Sequence, residues 1–77
     1  MDIISTNKKV EITEYGVAVK KNGDTYFVDL TITVNHQSGE VEEIINDILD
    51  IVGEHHEETL FDDNERLKIM EAAKSTF

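Results

Sequence analysis

Histidine and carboxylate side chains that lie close together in the sequence are the first candidates for chemistry. His55 and His56 precede Glu57 and Glu58, and on a helix His55 and Glu58 would be three positions apart, a spacing at which they could share a metal ion. Adjacent histidines point about 100° apart on a helix, so the run lacks two imidazoles on one face. We therefore expect no bound metal or other cofactor, and keep His55, His56 and Glu58 only as weak candidate ligands.

Other patterns that carry catalysis are missing from the sequence. The chain has no cysteine, and its serines have no neighbouring histidine signature of an activated nucleophile. The four glycines, at positions 16, 23, 39 and 53, match neither a dinucleotide-binding fingerprint nor a phosphate-binding loop. These absences predict a protein that is not an enzyme.

The distribution of charge is the most informative feature of the sequence. The 77 residues carry a formal net charge of −10, from 17 acidic and 7 basic side chains. Residues 22–65 contain no Lys or Arg, and their acids are Asp24, Asp29, Glu40, Glu42, Glu43, Asp47, Asp50, Glu54, Glu57, Glu58, Asp62, Asp63 and Glu65. This charge opposes direct binding to nucleic acids or anionic membranes, because both require basic side chains. We expect a partner that presents a basic protein surface.

Length and composition limit the fold and its location. A chain of this size forms one small domain with a thin core, which favours stabilisation by a partner or by a second copy. No apolar run approaches the roughly 18 residues of a membrane-spanning helix, and the N-terminus lacks the basic and apolar regions of a signal peptide. Without cysteine there is no sign of an oxidising compartment, so the expected location is the cytoplasm.

A β-hairpin is predicted over residues 9–35. Two runs rich in β-branched and aromatic residues flank Asn22 and Gly23, the pair that favours a type I′ turn. In the resulting register three pairs share one face: Val19 with Tyr26, Val17 with Val28, and Tyr15 with Leu30.

The far end of this hairpin requires a correction to the register. Val10 and Ile12 fall on the opposite, mostly polar face if the pairing continues unchanged. We therefore predict a β-bulge near Thr13 and Glu14, which would return both apolar residues to the core.

An amphipathic helix is predicted over residues 39–58. Its apolar positions follow the i, i+3, i+4, i+7, i+8 and i+11 pattern: Val41, Ile44, Ile45, Ile48, Leu49 and Val52. Ser38 or Gly39 would cap its start, and Gly53 offers an earlier end. Six carboxylates would share the face opposite the apolar positions: Glu43, Asp47, Asp50, Glu54, Glu57 and Glu58. We predict that this acidic stripe binds the partner, with about one carboxylate per turn, roughly 5–6 Å apart.

A short C-terminal helix is predicted over residues 63–75, because Asp62 and Glu65 have the spacing of a capping box. Residues 1–6 give a weak strand signal, so both two and three strands remain open. The fold class is α+β: an antiparallel β-hairpin or three-stranded sheet with one face packed by one or two C-terminal helices, in a single domain over residues 1–77.

Two classes of function explain these features. In the first, the chain is a non-enzymatic inhibitor whose acidic stripe mimics the phosphate backbone and occupies the basic groove of a nucleic-acid-binding protein or nuclease complex. In size and acidity the chain resembles the small antagonists that phages make against restriction or CRISPR systems. That likeness is one of composition and assigns no role to a residue.

In the second class, the chain is a homodimeric structural or regulatory module whose acidity only maintains solubility. It would pair hairpin edges or bury leftover apolar residues, namely Phe27, Ile51, Leu60, Phe61 and Phe77. A metal-dependent enzyme that uses His55, His56 and Glu58 is a third and less supported hypothesis.

Overall fold

The chain folds as a three-stranded antiparallel sheet followed by one helix. A computed structural model describes residues 1–76. The strands β1 (Val10–Lys21), β2 (Asp24–Asn35) and β3 (Val41–Asp50) lie in the order β1-β2-β3, and a 3₁₀ turn (Glu58–Leu60) leads to helix α1 (Asp63–Lys74). Residues 1–9 form neither strand nor helix, and Phe77 lies outside the described residues. The predicted α+β class is confirmed, with a three-stranded sheet and one C-terminal helix in residues 1–76.

The first turn forms as the sequence predicts. Asn22 has a φ of 52° and Gly23 a φ of 82°. A type I′ turn requires positive φ at both central residues, and Asn and Gly tolerate that conformation best. The three predicted pairs all form: Val19 with Tyr26, Val17 with Val28, and Tyr15 with Leu30.

The predicted β-bulge near Thr13 and Glu14 is wrong. β1 and β2 pair without interruption along all 12 residues of each strand. Because no residue is inserted, Val10 and Ile12 stay on the face opposite the core, where their exposed fractions are 49% and 67%. The two strands therefore form a regular ladder of hydrogen bonds, and Val10 and Ile12 remain exposed to solvent.

The predicted acidic helix over residues 39–58 is also wrong, because β3 occupies its first half. A tight turn over residues 35–40 brings the chain back antiparallel to β2. In this turn the Gly39 N–H donates to the Asn35 carbonyl over 2.8 Å, and the Asn35 side chain accepts from the N–H groups of Gln37 and Ser38. The side-chain bonds satisfy backbone donors in the loop and direct the chain into a strand.

A bulge in β3 explains why its sequence has helical spacing. The pairing of β3 with β2 shifts by one residue between Asp29 and Leu30. As a result Ile45 and Ile48 are both buried although three positions separate them. Other apolar residues of β3, such as the exposed Ile44, lie on the opposite face of the strand. Together with Ile45 and Ile48 they give the sequence the apolar spacing that is typical of one face of a helix.

One cluster of buried side chains joins the sheet and the C-terminal segment: Val28, Leu30, Ile32, Ile45, Ile48, Phe61, Ile69 and Ala73. We call the sheet face that carries the buried strand residues the core face. The opposite face, which we call the open face, carries the exposed Ile12, Phe27 and Ile44.

Helix α1 begins at the predicted residue and ends one residue before the predicted one. Its predicted capping box is confirmed. The Glu65 N–H donates to Asp62 Oδ1 over 2.8 Å, and the Asp62 N–H donates to Glu65 Oε1 over 3.0 Å. These bonds satisfy two of the backbone donors that a helix leaves unpaired at its start.

Candidate protein-binding surface

The six carboxylates of the predicted stripe do not form one row, because a strand sends successive side chains to opposite faces. Glu43 lies on the core face opposite Ile32, where Lys74 of α1 neutralises it in an ion pair. The Glu43 side chain is only 19% exposed. Its charge is therefore compensated within the fold.

Asp47 is engaged inside the molecule. Its Oδ1 accepts from the Ile48 N–H over 2.9 Å and lies 2.8 Å from His55 Nδ1. The hydrogen bond from His55 holds the pKa of Asp47 below its usual value, and the same bond raises the pKa of His55. Asp47 thus fixes the segment that follows β3 instead of presenting a bare charge.

Asp50 organises the turn at the end of β3. Its Oδ1 accepts from the N–H groups of Val52 and Glu54, both over 3.0 Å, and its Oδ2 lies 2.9 Å from His56 Nε2. The hydrogen bond with His56 is the main cause that lowers the pKa of Asp50. Gly53, with a φ of 84°, closes the turn by donating its N–H to the Asp50 carbonyl over 3.1 Å. The turn is therefore held by both backbone and side-chain bonds.

The two histidines attach the next segment to the edge of β3. His55 forms a bridge with Leu49, and the His56 N–H donates to the Ile48 carbonyl over 2.8 Å. The His56 ring also meets the Tyr26 ring edge-on, with centroids 5.3 Å apart. The chain reverses direction at residues 51–54, and the next two residues, His55 and His56, attach it to β3 again.

The remaining carboxylates meet at one end of the sheet. The turn after β1 and the turn after β3 lie at the same end, because all neighbouring strands are antiparallel. The segment from His56 to the 3₁₀ turn crosses this end, since Lys21 Nζ of β1 donates to the Leu60 carbonyl over 2.6 Å. Four exposed acids lie here: Asp24, Glu54, Glu57 and Glu58. None of them forms an ion pair with a residue in the described range 1–76.

Two apolar side chains project from the same end. Ile51 and Val52, at the tip of the Asp50 turn, are 74% and 76% exposed. We call this surface the acidic end, and define it by Ile51, Val52 and the four exposed acids Asp24, Glu54, Glu57 and Glu58.

Lys21 lies opposite Asp24 across the first turn, but its ion pair is with a residue outside the acidic end. Lys21 is 2.8 Å from Glu65 Oε1, lies over the Phe61 ring at 5.6 Å from its centroid, and is 25% exposed. A backbone hydrogen bond from Asp62 and the Lys21 ammonium both lower the pKa of Glu65. Lys21 therefore joins β1 to the start of α1, while the acidic end keeps its charge.

The candidate metal ligands do not converge. His55 contacts Asp47 and His56 contacts Asp50, whereas Glu58 lies exposed in the 3₁₀ turn. Within residues 1–76, no group of three or more His, Asp or Glu side chains is arranged to hold a metal ion.

Sequence reasoning placed several of these residues incorrectly. Val52 was expected in a helix core and Phe61 on the surface, but Val52 is exposed and Phe61 is 1% exposed. Of the other leftover apolar residues, Phe27 and Ile51 are exposed and Leu60 is half-buried. The signal that finds the turn is Asp at its first position and Gly at its fourth, a pattern typical of a type I turn.

Among residues 1–76, no helix has the length and apolar character needed to cross a membrane. The chain matches no protein-family model, and comparison with curated proteins and with solved structures finds no similar protein.

Proposed function

We propose that this chain is a non-enzymatic protein-binding module of the inhibitor type, and that its acidic end docks on the basic, nucleic-acid-binding surface of a target protein. One observation carries the proposal: Ile51 and Val52 project from a fixed turn beside acids that form no ion pair with any residue from 1 to 76. An antagonist of restriction or CRISPR complexes is one form that such a module takes.

The arrangement suits protein recognition. Stable interfaces combine an apolar centre with a polar rim, and the acidic end has two apolar side chains flanked by carboxylates. The hydrogen bonds that Asp50 accepts from Val52 and Glu54 order the turn before a partner arrives, so less conformational entropy is lost on binding. Exposed charge of one sign accelerates association with a basic surface.

The features of the structure that support this proposal differ from those that the sequence suggested. The evenly spaced row of carboxylates that would imitate phosphates required a helix over residues 39–58, and β3 replaces that helix. The proposal therefore rests on complementary charge and on the two apolar side chains, without any matching of phosphate spacing. Of the predicted stripe, it retains Glu54, Glu57 and Glu58 as contact residues and Asp50 as the residue that orders the turn.

The test compares two triple variants with the same change in net charge. One variant carries Glu54→Gln, Glu57→Gln and Glu58→Gln at the acidic end. The control carries Glu40→Gln, Glu42→Gln and Glu71→Gln, three exposed positions outside it. Each protein is used to capture partners from the native host at low and high salt, and captured proteins are identified by mass spectrometry.

We expect the parent and the control to capture the same basic protein at low salt, and the acidic-end variant to lose most of it. High salt should release the partner from the parent, because salt screens exposed charges. Equal retention by the two triple variants, or retention by the parent that salt does not affect, would contradict the proposal.

A further inference from the structure

The outer edge of β1 is long and regular, and its charged residues are Glu11, Glu14, Lys20 and Lys21. β1 is an edge strand of 12 residues, it pairs with β2 in an unbroken register, and the chain has no proline. Monomeric proteins usually shorten, bulge, cover or interrupt such edges. An edge of this length and regularity is ready to accept another strand.

The other edge of the sheet is protected. β3 contains the bulge between its pairs with Asp29 and Leu30, and His55 bridges to Leu49 on its outer side. Among residues 1–76, the bulge and the bridging residue lie on β3, and β1 has neither.

The hydrogen-bond pattern fixes which residues of β1 face outward. In a two-residue hairpin the residues that flank the loop form a hydrogen-bonded pair, and bonded pairs then alternate along the strands. Lys21 therefore bonds to β2, as do the other odd-numbered residues, and the His36 N–H bonded to the Lys9 carbonyl agrees with this order. The even-numbered residues direct their backbone N–H and C=O groups outward: Glu14, Gly16, Ala18 and Lys20.

The sequence of β1 is complementary to itself in one antiparallel register. When Val17 lies opposite Val17 of a second copy, Glu14 lies opposite Lys20 at both ends of the pairing. Both side chains are exposed, and neither forms an ion pair with the residues that the structure describes. In the same register the half-buried Val17 and Val19 are covered on the core face.

Helix α1 lies beside β1: Glu65, Lys68, Ile69 and Ala72 line one groove with residues 17–20. It begins beside β1, where Glu65 meets Lys21, and it ends beside β3, where Lys74 meets Glu43. Because Ile69 and Ala73 are buried in the core cluster, α1 covers β1 from the core face, whereas the outward N–H and C=O groups of β1 lie in the plane of the sheet.

We infer that a second copy of this chain pairs with β1 edge to edge, antiparallel and centred on Val17, and that the two sheets join into one of six strands. The acidic ends then lie at opposite ends of the joined sheet. Dimerisation is thus independent of the proposed docking function, and either one can fail without the other.

Cysteine cross-linking tests the register. The chain has no cysteine, so a single variant reports on one position. Under mild oxidation Val17→Cys should form a disulfide-linked dimer, because Cα atoms opposite each other in a non-hydrogen-bonded pair lie about 4.5 Å apart. Thr13→Cys is the matched control on the same face of β1, with its two copies about 27 Å apart in this register. Absence of the Val17→Cys dimer, or equal cross-linking by Thr13→Cys, would overturn the inference.

Charge exchange tests the same register without a covalent bond. Glu14→Lys should weaken dimerisation about tenfold in sedimentation equilibrium, since it places like charges opposite each other twice in the dimer. Adding Lys20→Glu should restore it, while Glu42→Lys, the control with the same charge change on β3, should leave it unchanged. A parent that stays monomeric at every concentration, or a double variant no better than Glu14→Lys, would overturn the pairing.

Discussion

At the scale of single residues, carboxylates and histidines act mainly to hold the chain. Asp47 and Asp50 each bind one histidine of the segment that returns along β3. The acids that the sequence suggested for partner binding therefore divide into two groups. Those within β3 stabilise the fold, and those beyond it, Glu54, Glu57 and Glu58, remain exposed.

The pair of Asp47 and His55 predicts a dependence of stability on pH. The folded pKa of His55 is raised above 6.5, so its contribution is complete below 6.5 and is lost as pH rises through the higher folded value. The folded pKa of Asp47 is lowered below 3.8, so its contribution is present above 3.8 and is lost as pH falls through the lower folded value. The pair stabilises the protein most between these limits.

An Asp47→Asn variant checks this prediction. It should return the His55 pKa, measured by NMR titration, toward 6.5. It should also lower the midpoint of thermal unfolding more at about pH 5, where His55 is protonated, than at a pH above the folded pKa of His55, where the imidazole is neutral. An unchanged His55 titration in the variant would show that the two side chains are not paired.

At the scale of elements, local signals predict the turn of the first hairpin and α1 well, and they predict the β1 bulge and β3 incorrectly. Asn22 with Gly23 and the Asp62 capping box each act within a few residues, so the sequence shows them directly. The state of β3 depends on pairing with β2 and on a bulge, which are set by tertiary contacts. The acidic stripe was predicted incorrectly for the same reason, because its six carboxylates share one face only if residues 39–58 form a helix.

The turn after β3 offers a test through its glycine. Gly53 has a φ of 84°, so Gly53→Ala should destabilise the fold by about 1 kcal/mol through backbone strain. Gly16→Ala is the control: no φ in the left-handed region occurs there, and a Cβ would meet Asp29 Oδ1 at an ordinary 3.8 Å. It should be neutral or stabilise by about 0.5 kcal/mol. Chemical denaturation measures both, and equal effects would show that the turn is not closed by Gly53.

At the scale of the whole molecule, a thin core supports a surface with two distinct candidate interfaces. The acidic end and the β1 edge use different residues, and the buried cluster contains eight of the residues that the structure describes. Total stability for a chain of this length is roughly 4–12 kcal/mol. Single core changes therefore remove a large share of it.

Phe61 provides the test of this core. It is 1% exposed and meets the Tyr26 ring edge-on at 6.1 Å, so Phe61→Ala should cost about 3–5 kcal/mol. Phe27→Ala, at a side chain that is 46% exposed on the open face, should cost clearly less. Denaturant unfolding compares the two, and a larger loss from Phe27→Ala would place the core on the wrong face of the sheet.

The measurement that tests the central claim most directly is the association rate with the captured partner as a function of salt. For the parent, the rate should fall steeply as salt increases, because the exposed acids attract a basic surface. The variant with Glu54→Gln, Glu57→Gln and Glu58→Gln should associate more slowly at low salt and approach the parent rate at high salt. Identical salt dependence in the parent and the variant would contradict the claim that the acidic end meets the partner.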